Sequence, residues 1–457
     1  MKYLTPRLIA EVTGGEYVGA ASALDSRVGG AARDNRDVRP GCLFVCIRGK
    51  RADGHDFAAD AFGAGAACCL VERPLTGEAG PYVLVGSTLD AIKLIGARYR
   101  QMLDIPIIGI TGSVGKTTAK EMAAAVLGSR FNVLKTPDNL NNELGVPLTL
   151  LSITEAHEVA VIEMGISDFH EMGRLAGMVR PNMQIITKIG HAHLKELGDL
   201  SGVLRAKAEV FEFMDAGGTA ILNGDDDLLW GYDPGIRKVT YGLDGRNDFR
   251  AEKIRAEGTD SIFCEILGGA HSVNARIPAY GRHLVMAALA ATAVGSLLGL
   301  NAEEISRGML SYAPVGGRAN VSASGCITLI DDSYNANPDS VRAALESLCG
   351  LDGRRVAVLG DMLALGALSD EMHREIGVFA ARAGIDLLVC CGENAAFIHE
   401  GYISAGGKSA RYFCTKGQLL EVLHGLLHKG DSVLVKASNG MGFREIAHAL
   451  CGEQMQN

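Results

Sequence analysis

The sequence predicts an α/β protein of three domains, and three observations lead to that prediction. The chain has 457 residues, which at roughly 150 residues per domain is enough for about three cores. Glycine is frequent (58 residues) and proline is scarce (12), a composition typical of many tight turns between strands and helices. Short, continuous apolar runs alternate with helical segments, as expected for parallel strands that are covered on both faces.

The charge and the cysteine content narrow the functional classes. Lys and Arg (44) are outnumbered by Asp and Glu (53), and a net charge of −9 does not attract nucleic acid or anionic lipid over long distances. We therefore expect no nucleic-acid partner. The 11 cysteines contain no CxxC pair and no secretory leader is evident, so we expect reduced thiols and a cytoplasmic location. Residues 284–300, the longest uncharged apolar run, are too short to cross a bilayer and predict a buried helix without membrane insertion.

Residues 1–81 are predicted to form a small mixed α/β domain. Apolar, strand-like segments at 41–49 and 68–71 are separated by a polar stretch and a helix of small residues. Gly80-Pro81 is a turn signal and marks the predicted domain boundary. Residues 88–102 then predict a helix that leads into the next domain.

Residues 82–313 are predicted to form a central domain built on a parallel sheet. The buried-strand run at 105–110 is followed by a glycine-rich loop and by a helix over 116–127. Residues 159–163 and 184–187 predict two further buried strands of the same sheet.

Residues 314–457 are predicted to form the third domain. A turn-rich break at 313–317 precedes it, and the alternation of strands and helices then starts again. The predicted strands are 327–330, 356–359, 387–390 and 433–435. Such strands, with helices between them, predict a Rossmann-like, doubly wound domain.

A glycine-rich loop joins the first strand of the central domain to its helix and reads Gly112-Ser113-Val114-Gly115-Lys116-Thr117-Thr118. Glycines let backbone N–H groups surround phosphate oxygens, and the start of the following helix adds partial positive charge. We expect Lys116 to reach the β- and γ-phosphates of a nucleotide and the Thr117 hydroxyl to ligate Mg²⁺. The loop thus predicts a P-loop ATPase-like central domain. The general P-loop pattern has glycine where this chain has Ile110, so an ordinary glycine turn with a surface lysine is the alternative.

Three further side chains of the central domain are candidates for a magnesium site. Glu163 ends a buried strand, where open α/β sheets bind ligands, and Mg²⁺ prefers oxygen ligands. His193 also follows a strand, although a lone histidine is more often structural than a ligand. Lys207 lies in a predicted helix, where most lysines extend their ammonium groups to water. Because an ammonium repels a metal ion, Lys207 can hold one only after conversion to an anion such as a carbamate.

The loop, these candidates and several longer segments occur together in the order of one known family. The segments are 38–45 (VRPGCLFV), 53–57 (DGHDF), 136–147 (TPDNLNNELGVP), 330–340 (IDDSYNANPDS) and 359–363 (LGDML). Over nearly all of its 457 residues the chain resembles the Mur ligases of peptidoglycan synthesis. The segment 330–340 is similar to the branch of the family that adds D-alanyl-D-alanine.

The resemblance implies an ATP-dependent ligase that forms a C–N bond through an acyl phosphate, with ATP and Mg²⁺ as cofactors. Its small-molecule partners would be UDP-N-acetylmuramoyl-tripeptide and D-alanyl-D-alanine, in the last cytoplasmic step of peptidoglycan precursor synthesis, and we expect a monomer. In this family the first domain binds the UDP end of the substrate, the central domain binds ATP, and the third domain closes over both.

The resemblance also implies roles for individual residues. Those implied to contact the nucleotide are residues 112–118, His283 near the adenine, and Asp332 at the ribose, with Asp331 as second choice. Those implied to hold magnesium are Thr117, Glu163, His193 and a carbamylated Lys207. Those implied to be catalytic are Lys116, Lys207, His193 and Lys436, the last of which reaches the active site from the third domain. Those implied to bind the sugar-nucleotide substrate are Asp34, Asn35, Arg36, Asn139 and Asn142.

Some positions depart from the family pattern, and other functions stay open. Leu284 and Ala288 stand where the family usually carries asparagines near the adenine, and Lys188 replaces an asparagine before the loop of His193. The alternatives are another Mur-type amide ligase that adds a diamino acid or a glutamate, a P-loop ATPase without ligase activity, and a binding protein that has lost catalysis.

Overall fold

The structure, a computed structural model, describes residues 4–49, 52–76, 80–269, 271–324 and 326–452. In this part of the chain three separate sheets, of five, nine and six strands, follow one another. Helices accompany each of them, so the predicted fold class, α/β with three domains, is confirmed.

The first sheet lies in the amino-terminal domain and extends beyond the boundary predicted at residue 81. Its strands are β1 (Glu16–Val18), β2 (Ala31–Ala32), β3 (Leu43–Val45), β4 (Cys68–Val71) and β5 (Tyr82–Leu84), in the order β1-β5-β4-β3-β2. Its helices are α1 (Pro6–Thr13) and α2 (Ala58–Gly63). Gly80-Pro81 therefore leads into a central strand of this sheet, because a turn signal does not distinguish a turn within a sheet from a linker between domains.

The central sheet has nine strands and is longer than the sequence predicted. They are β6 (Ile107–Thr111), β7 (Val133–Lys135), β8 (Val159–Glu163), β9 (Met183–Ile186), β10 (Thr219–Asn223), β11 (Arg237–Gly242), β12 (Phe249–Glu257), β13 (Ser261–Gly268) and β14 (His271–Ile277). The order is β14-β13-β12-β11-β10-β9-β6-β8-β7. Strands β6 to β12 pair in parallel, whereas β12, β13 and β14 are antiparallel. The predicted parallel sheet is present, and the sequence analysis did not predict its antiparallel end, because β12 is exposed along much of its length and β13 alternates between buried and partly exposed residues, so neither has a continuous buried run.

Helices cover both faces of the central sheet and form two separate apolar clusters against it. They are α4 (Lys116–Leu127), α5 (Gly145–Leu151), α6 (Glu171–Val179), α7 (Leu194–Leu197), α8 (Leu200–Ala208), α9 (Asp227–Gly231), α10 (His283–Leu297) and α11 (Ala302–Leu310). The preceding helix, α3 (Thr88–Arg100), buries its apolar residues mainly in the cluster of the amino-terminal sheet. Helix α10 is the buried helix predicted from the apolar run and packs against α4. Within the described ranges, no helix combines the length and the apolar character needed to span a bilayer.

The third sheet has six strands with apolar clusters on both faces. Its strands are β15 (Asn320–Ser324), β16 (Ile327–Asp331), β17 (Arg355–Gly360), β18 (Leu387–Cys391), β19 (Ala410–Phe413) and β20 (Ser432–Lys436), in the order β15-β16-β20-β17-β18-β19. Its helices are α12 (Pro338–Cys349), α13 (Ser369–Arg382), α14 (Ala395–Ser404), α15 (Lys416–Leu426) and α16 (Arg444–Gly452). Only β15 is antiparallel to its neighbour, so the doubly wound prediction holds for the other five strands.

The strand order of the central sheet determines where its functional loops meet. Strand β6 lies between β8 and β9 and is parallel to both, with Ile110 beside Glu163 and Thr111 beside Ile186. The loops that follow these three strands therefore leave the sheet at one edge, at the point where the strand order reverses direction.

We predict that Gly308→Ala destabilises the protein. Gly308 in α11 packs against α4, and a Cβ at this position would lie 2.5 Å from Val126 Cα and 2.8 Å from the carbonyl oxygen of Ala125. Because backbone atoms cannot move aside as a side chain can, we expect a loss of about 1–3 kcal/mol in the free energy of unfolding, measured in urea. The matched control is Gly417→Ala in α15, where a Cβ would have no neighbour within 4 Å. Equal effects of the two substitutions would contradict this account.

Candidate active site

A cavity of about 580 Å³ lies between the central and carboxyl-terminal domains. The predicted phosphate loop lines it from the central side, and two glycines of this loop have backbone conformations that other residues rarely adopt. Gly112 has a φ of 148°, and Gly115, which precedes α4, has a φ of 82°. A side chain at 112 would also collide with the Thr187 hydroxyl. The loop thus brings the start of α4, with its unpaired N–H groups, to the cavity, as anion binding requires.

Lys116 and Thr117 lie at the start of α4, beside the carboxylate of Glu163. Thr117 Oγ1 donates a hydrogen bond to Glu163 Oε2 (2.9 Å), and Lys116 Nζ donates to the carbonyl oxygen of Gly112 (2.7 Å). Burial lowers the pKa of Lys116, and the charge of Glu163 opposes that shift. Among the described residues, no carboxylate lies within ion-pair distance of this ammonium group.

Two residues that the sequence analysis did not identify hold Glu163 in place. Asn141 Nδ2 donates to Glu163 Oε1 (2.9 Å), and Lys120 Nζ lies 3.9 Å from Oε2. Lys120 is only 1% exposed and donates to the carbonyl oxygen of Thr136 (2.8 Å), which fixes the segment leading to Asn141 against α4. Lys120 follows Lys116 by one helical turn, and this spacing is the signal that could have revealed it.

His193 and Lys207 lie near Lys116 but differ in their access to the cavity. His193 lines the cavity, whereas Lys207, 3% exposed, is buried in α8 within electrostatic range of His193 and Lys116. Burial, and then the charges of Lys207 and Lys116, lower the pKa of His193, so its ring is neutral at pH 7 and able to bind a metal. Burial, and then the charge of Lys116, lower the pKa of Lys207 well below its ordinary value.

The oxygen donors around Glu163 fit a magnesium ion that is bound partly by the protein and partly by phosphate oxygens. The Thr117 hydroxyl and the Glu163 carboxylate are hard oxygen donors, which Mg²⁺ prefers. No group of three or more His, Cys, Asp or Glu side chains in the described ranges is arranged to hold a metal alone. A cation here would need further oxygen ligands, such as those of nucleotide phosphates.

The carboxyl-terminal domain contributes Lys436 and Asp332 to the opposite wall of the cavity. Lys436, 2% exposed, forms an ion pair with Asp332 (2.5 Å) and donates to the carbonyl oxygen of Asn335 (2.9 Å). Asp331 instead accepts hydrogen bonds from the backbone N–H and the hydroxyl of Ser333, within its own turn. Of these two neighbouring aspartates, Asp332, the first choice for the ribose contact, is the one that lines the cavity.

Arg318 is a further cavity residue that the sequence analysis missed. Its guanidinium lies 3.8 Å from the centre of the Tyr334 ring, and its charge contributes to the lowered pKa of Lys116. In the described part of the chain it has no ion pair with a carboxylate. The available signal was an arginine directly after Gly316-Gly317, at the predicted junction of two domains.

Leu284 and Ala288, the two positions that depart from the family pattern near the adenine, do not line the cavity. Both side chains are buried in the apolar cluster between α10 and the sheet. The side chains of α10 that line the cavity are those of His283, Met286 and Ala287. Burial lowers the pKa of His283, so a neutral imidazole and apolar groups form this part of the wall.

The predicted substrate-binding residues fall into two groups. Asn139 and Asn142 line the cavity, although the Asn142 side chain also accepts hydrogen bonds from the backbone N–H groups of Leu144 (3.2 Å) and Gly145 (2.9 Å). The amino-terminal group lies outside the lining of this cavity and consists of Asp34, Asn35 and Arg36. The side chains of Asp34 and Arg36 form an exposed ion pair with a distance of 2.5 Å.

Comparisons with known proteins agree with this architecture. Three family descriptions match the chain: "Mur ligase family, catalytic domain" over residues 30–103, "Mur ligase middle domain" over 110–295, and "Mur ligase, glutamate ligase domain" over 317–439. The UDP-N-acetylmuramoyl-tripeptide–D-alanyl-D-alanine ligase of Bacillus subtilis is 36% identical over 427 residues, covering 92% of this chain and 93% of the relative.

Solved structures show the same likeness over the whole chain. MurF from Acinetobacter baumannii superposes with a TM-score of 0.88 at 30% identity, covering 99% of this chain and 100% of the other. MurF ligase from Thermotoga maritima, solved in complex with ADP, superposes with a TM-score of 0.80 at 26% identity, covering 93% and 98%. With its three domains matched in order and its relatives aligned end to end, the chain belongs to the Mur ligase family.

Proposed function

We propose that this chain is an ATP-dependent ligase that joins D-alanyl-D-alanine to the terminal carboxylate of UDP-N-acetylmuramoyl-tripeptide. The observation that carries the proposal is the meeting of the phosphate loop, Glu163 and His193 at one edge of the central sheet, facing the cavity. Relatives named for this reaction match the chain almost end to end, and the ADP complex of one relative supports ATP as the phosphate donor.

The first step is transfer of the γ-phosphoryl group from ATP to the tripeptide carboxylate. The carboxylate oxygen forms a bond to phosphorus, the bond to the β-phosphate oxygen breaks, and ADP leaves an acyl phosphate behind. Two anions must approach each other in this step, so cationic groups aimed at the phosphates lower the barrier. Lys116 and Arg318, neither of which has a carboxylate partner among the described residues, are the groups that we assign to this role.

Magnesium would be held by Thr117, Glu163 and His193, together with phosphate oxygens. When bound, the ion supplies Lewis-acid polarisation of the transferring phosphoryl group. Asn141 and Lys120 keep the Glu163 carboxylate oriented for this purpose, since each contacts a different oxygen of it. The neutral ring of His193 leaves a nitrogen lone pair for the ion.

Lys207 is suited to become the carbamate that the family resemblance implies. Addition of CO₂ to a neutral amine forms an N–C bond and releases one proton, which leaves an anionic oxygen donor in place of a cation. Burial lowers the pKa of Lys207, which increases the fraction of neutral amine, and no carboxylate pairs with it in the described ranges. The new anion would compensate the positive charge of Lys116 nearby.

In the second step the amine of D-alanyl-D-alanine attacks the acyl phosphate. The new C–N bond replaces the C–O bond, phosphate leaves, and the nitrogen loses a proton. Water competes with the amine, so the site must be closed during the reaction. Because both domains line the cavity, their approach would provide that closure. We further propose that the chain acts in the cytoplasm and as a monomer, the latter testable by light scattering at assay concentration.

The direct test measures ADP release with UDP-N-acetylmuramoyl-tripeptide in the presence and absence of D-alanyl-D-alanine. The proposal predicts release that depends on both substrates and a product longer by two residues. A chain that instead accepts single diamino acids or glutamate would be another Mur-type ligase. ADP release without any amine acceptor would indicate an ATPase, and binding without ADP release a protein that has lost catalysis.

We predict that Lys116→Ala lowers turnover by at least about 100-fold, the effect of removing one group aimed at the reacting phosphate. Turnover is measured as ADP release at saturating substrates. Lys429→Ala removes an exposed lysine in another domain and should retain the parental rate. A near-normal rate in Lys116→Ala would remove the loop from the mechanism.

We predict that Lys207→Ala is inactive and is partly rescued by short carboxylates such as acetate, which replace the missing carbamate oxygens.

The parental protein should lose activity as the pH falls through the lowered pKa of Lys207, because protonation removes the amine that binds CO₂. Added bicarbonate should counteract that loss, and the rescued variant should not respond to bicarbonate. Full activity of the unrescued variant would exclude a role for this lysine.

A further inference from the structure

A carboxylate of the third domain contacts the loop of the central domain that carries His193. Asp339, in the first turn of α12, approaches this loop from the other side of the cavity. Its Oδ1 accepts a hydrogen bond from Lys188 Nζ (2.9 Å), and its Oδ2 accepts one from the backbone N–H of His191 (2.9 Å). A single side chain thus holds both ends of the segment 188–191.

The fit at this junction depends on Gly190. A Cβ at residue 190 would lie 2.6 Å from Asp339 Oδ2, so the carboxylate occupies the space that a side chain would fill. The Asp339 side chain is 16% exposed and the Lys188 side chain 45%. The ion pair is therefore partly shielded from water, which makes it stronger than a fully exposed pair.

The same loop is bonded to the phosphate loop. Ser113 Oγ donates to the carbonyl oxygen of Gly190 (3.0 Å), and the backbone N–H of Ser113 donates to the carbonyl oxygen of Lys188 (2.8 Å). Asn337, at the start of α12, donates from Nδ2 to the carbonyl oxygen of Ser113 (3.4 Å). The start of α12 therefore contacts both loops that bound the nucleotide site.

His193 lies between two contacts with the third domain. Its φ of 56° is in the left-handed region, which residues with a side chain adopt uncommonly. Asp339 holds the chain before it, and Gly366 packs against α7 after it, where a Cβ at 366 would lie 3.1 Å from Lys195 Cα. The backbone of His193 is thus fixed from both sides while the domains are together.

We propose that Asp339 is a positioning residue that couples the approach of the third domain to metal binding at His193, with Lys188 as its partner. The inference rests on the proposed function, in which His193 binds magnesium. With the domains together, the imidazole is held in the orientation that the ion needs; with the domains apart, this support is lost. By linkage, magnesium must then favour the closed arrangement to the same degree.

The test is a double-mutant cycle on the full chain with Lys188→Met, Asp339→Asn and the double variant. Asn at 339 can still accept a hydrogen bond from the His191 N–H, so the change removes mainly the charge. The readouts are the free Mg²⁺ concentration for half-maximal ADP release at constant MgATP, and calorimetric binding of ADP with Mg²⁺ or with EDTA. Unfolding temperatures are recorded for every variant.

Each single variant should raise the half-maximal Mg²⁺ concentration about five-fold, the scale of a partly shielded ion pair, and weaken ADP binding with Mg²⁺ but not with EDTA. The double variant should be no worse than the more affected single variant. Lys188→Arg should restore the parental value. The matched control is Lys408→Met, which breaks a Lys–Asp pair with Asp386 inside the third domain and should leave the Mg²⁺ dependence unchanged.

Two outcomes would overturn the inference, and they differ in what they say about the reaction. If the parental chain is active and both single variants keep its Mg²⁺ dependence, or if their effects add, the coupling is absent and the proposed ligase stands. If the parental chain neither turns over nor binds ADP with Mg²⁺, the proposed function fails and the inference fails with it.

Discussion

Parallel strands that end at one edge of the central sheet are the constraint on which the site depends. Because β6 lies between β8 and β9, the phosphate loop meets Glu163, 46 residues beyond Thr117, and Gly190, 77 residues beyond Ser113. Every contact among these loops is a consequence of strand order, not of proximity in sequence. The antiparallel extension, β12 to β14, lies at the far end of the sheet and packs against α10 and α11, so it supports the site without entering it.

The charges that this geometry brings together are unbalanced. Lys116 and Arg318 have no carboxylate partner in the described ranges, and both oxygens of Glu163 already accept hydrogen bonds, from Thr117 and Asn141. Lys436 and Lys188, by contrast, are paired with aspartates of the third domain. Unpaired cations near a helix start favour a polyanionic ligand, since its phosphates supply the missing negative charge. The imbalance therefore favours a polyphosphate ligand and is the electrostatic argument for the proposed phosphoryl transfer.

The sequence predicted those parts of the fold and site that local patterns encode. Continuous apolar runs identified β6, β8 and α10, and the glycine spacing identified the phosphate loop, because burial and backbone conformation act over a few residues. Strand β12 was not predicted, because its solvent-exposed residues interrupt the apolar run that a buried strand would show. Lys120 and Arg318 were missed for another reason: the spacing after Lys116 and the glycine pair before Arg318 are weak local signals, and the contacts of these two side chains are with residues distant in sequence. The roles of Asp34 and of the other amino-terminal candidates stay predictions, as they depend on a ligand.

Domain closure links the chemistry to the fold. Lys116 comes from the central domain and Arg318 from the junction with the third, so neither domain alone completes the proposed phosphate site. An acyl phosphate also needs protection from water at the moment when both cations are in place. One movement can satisfy both requirements, because Arg318 lines the cavity from the same side as α12, and the start of α12 contacts the loops of Ser113 and Gly190. Assembly of the charged site and exclusion of water are then the same structural event, which accounts for a site built between domains instead of within one.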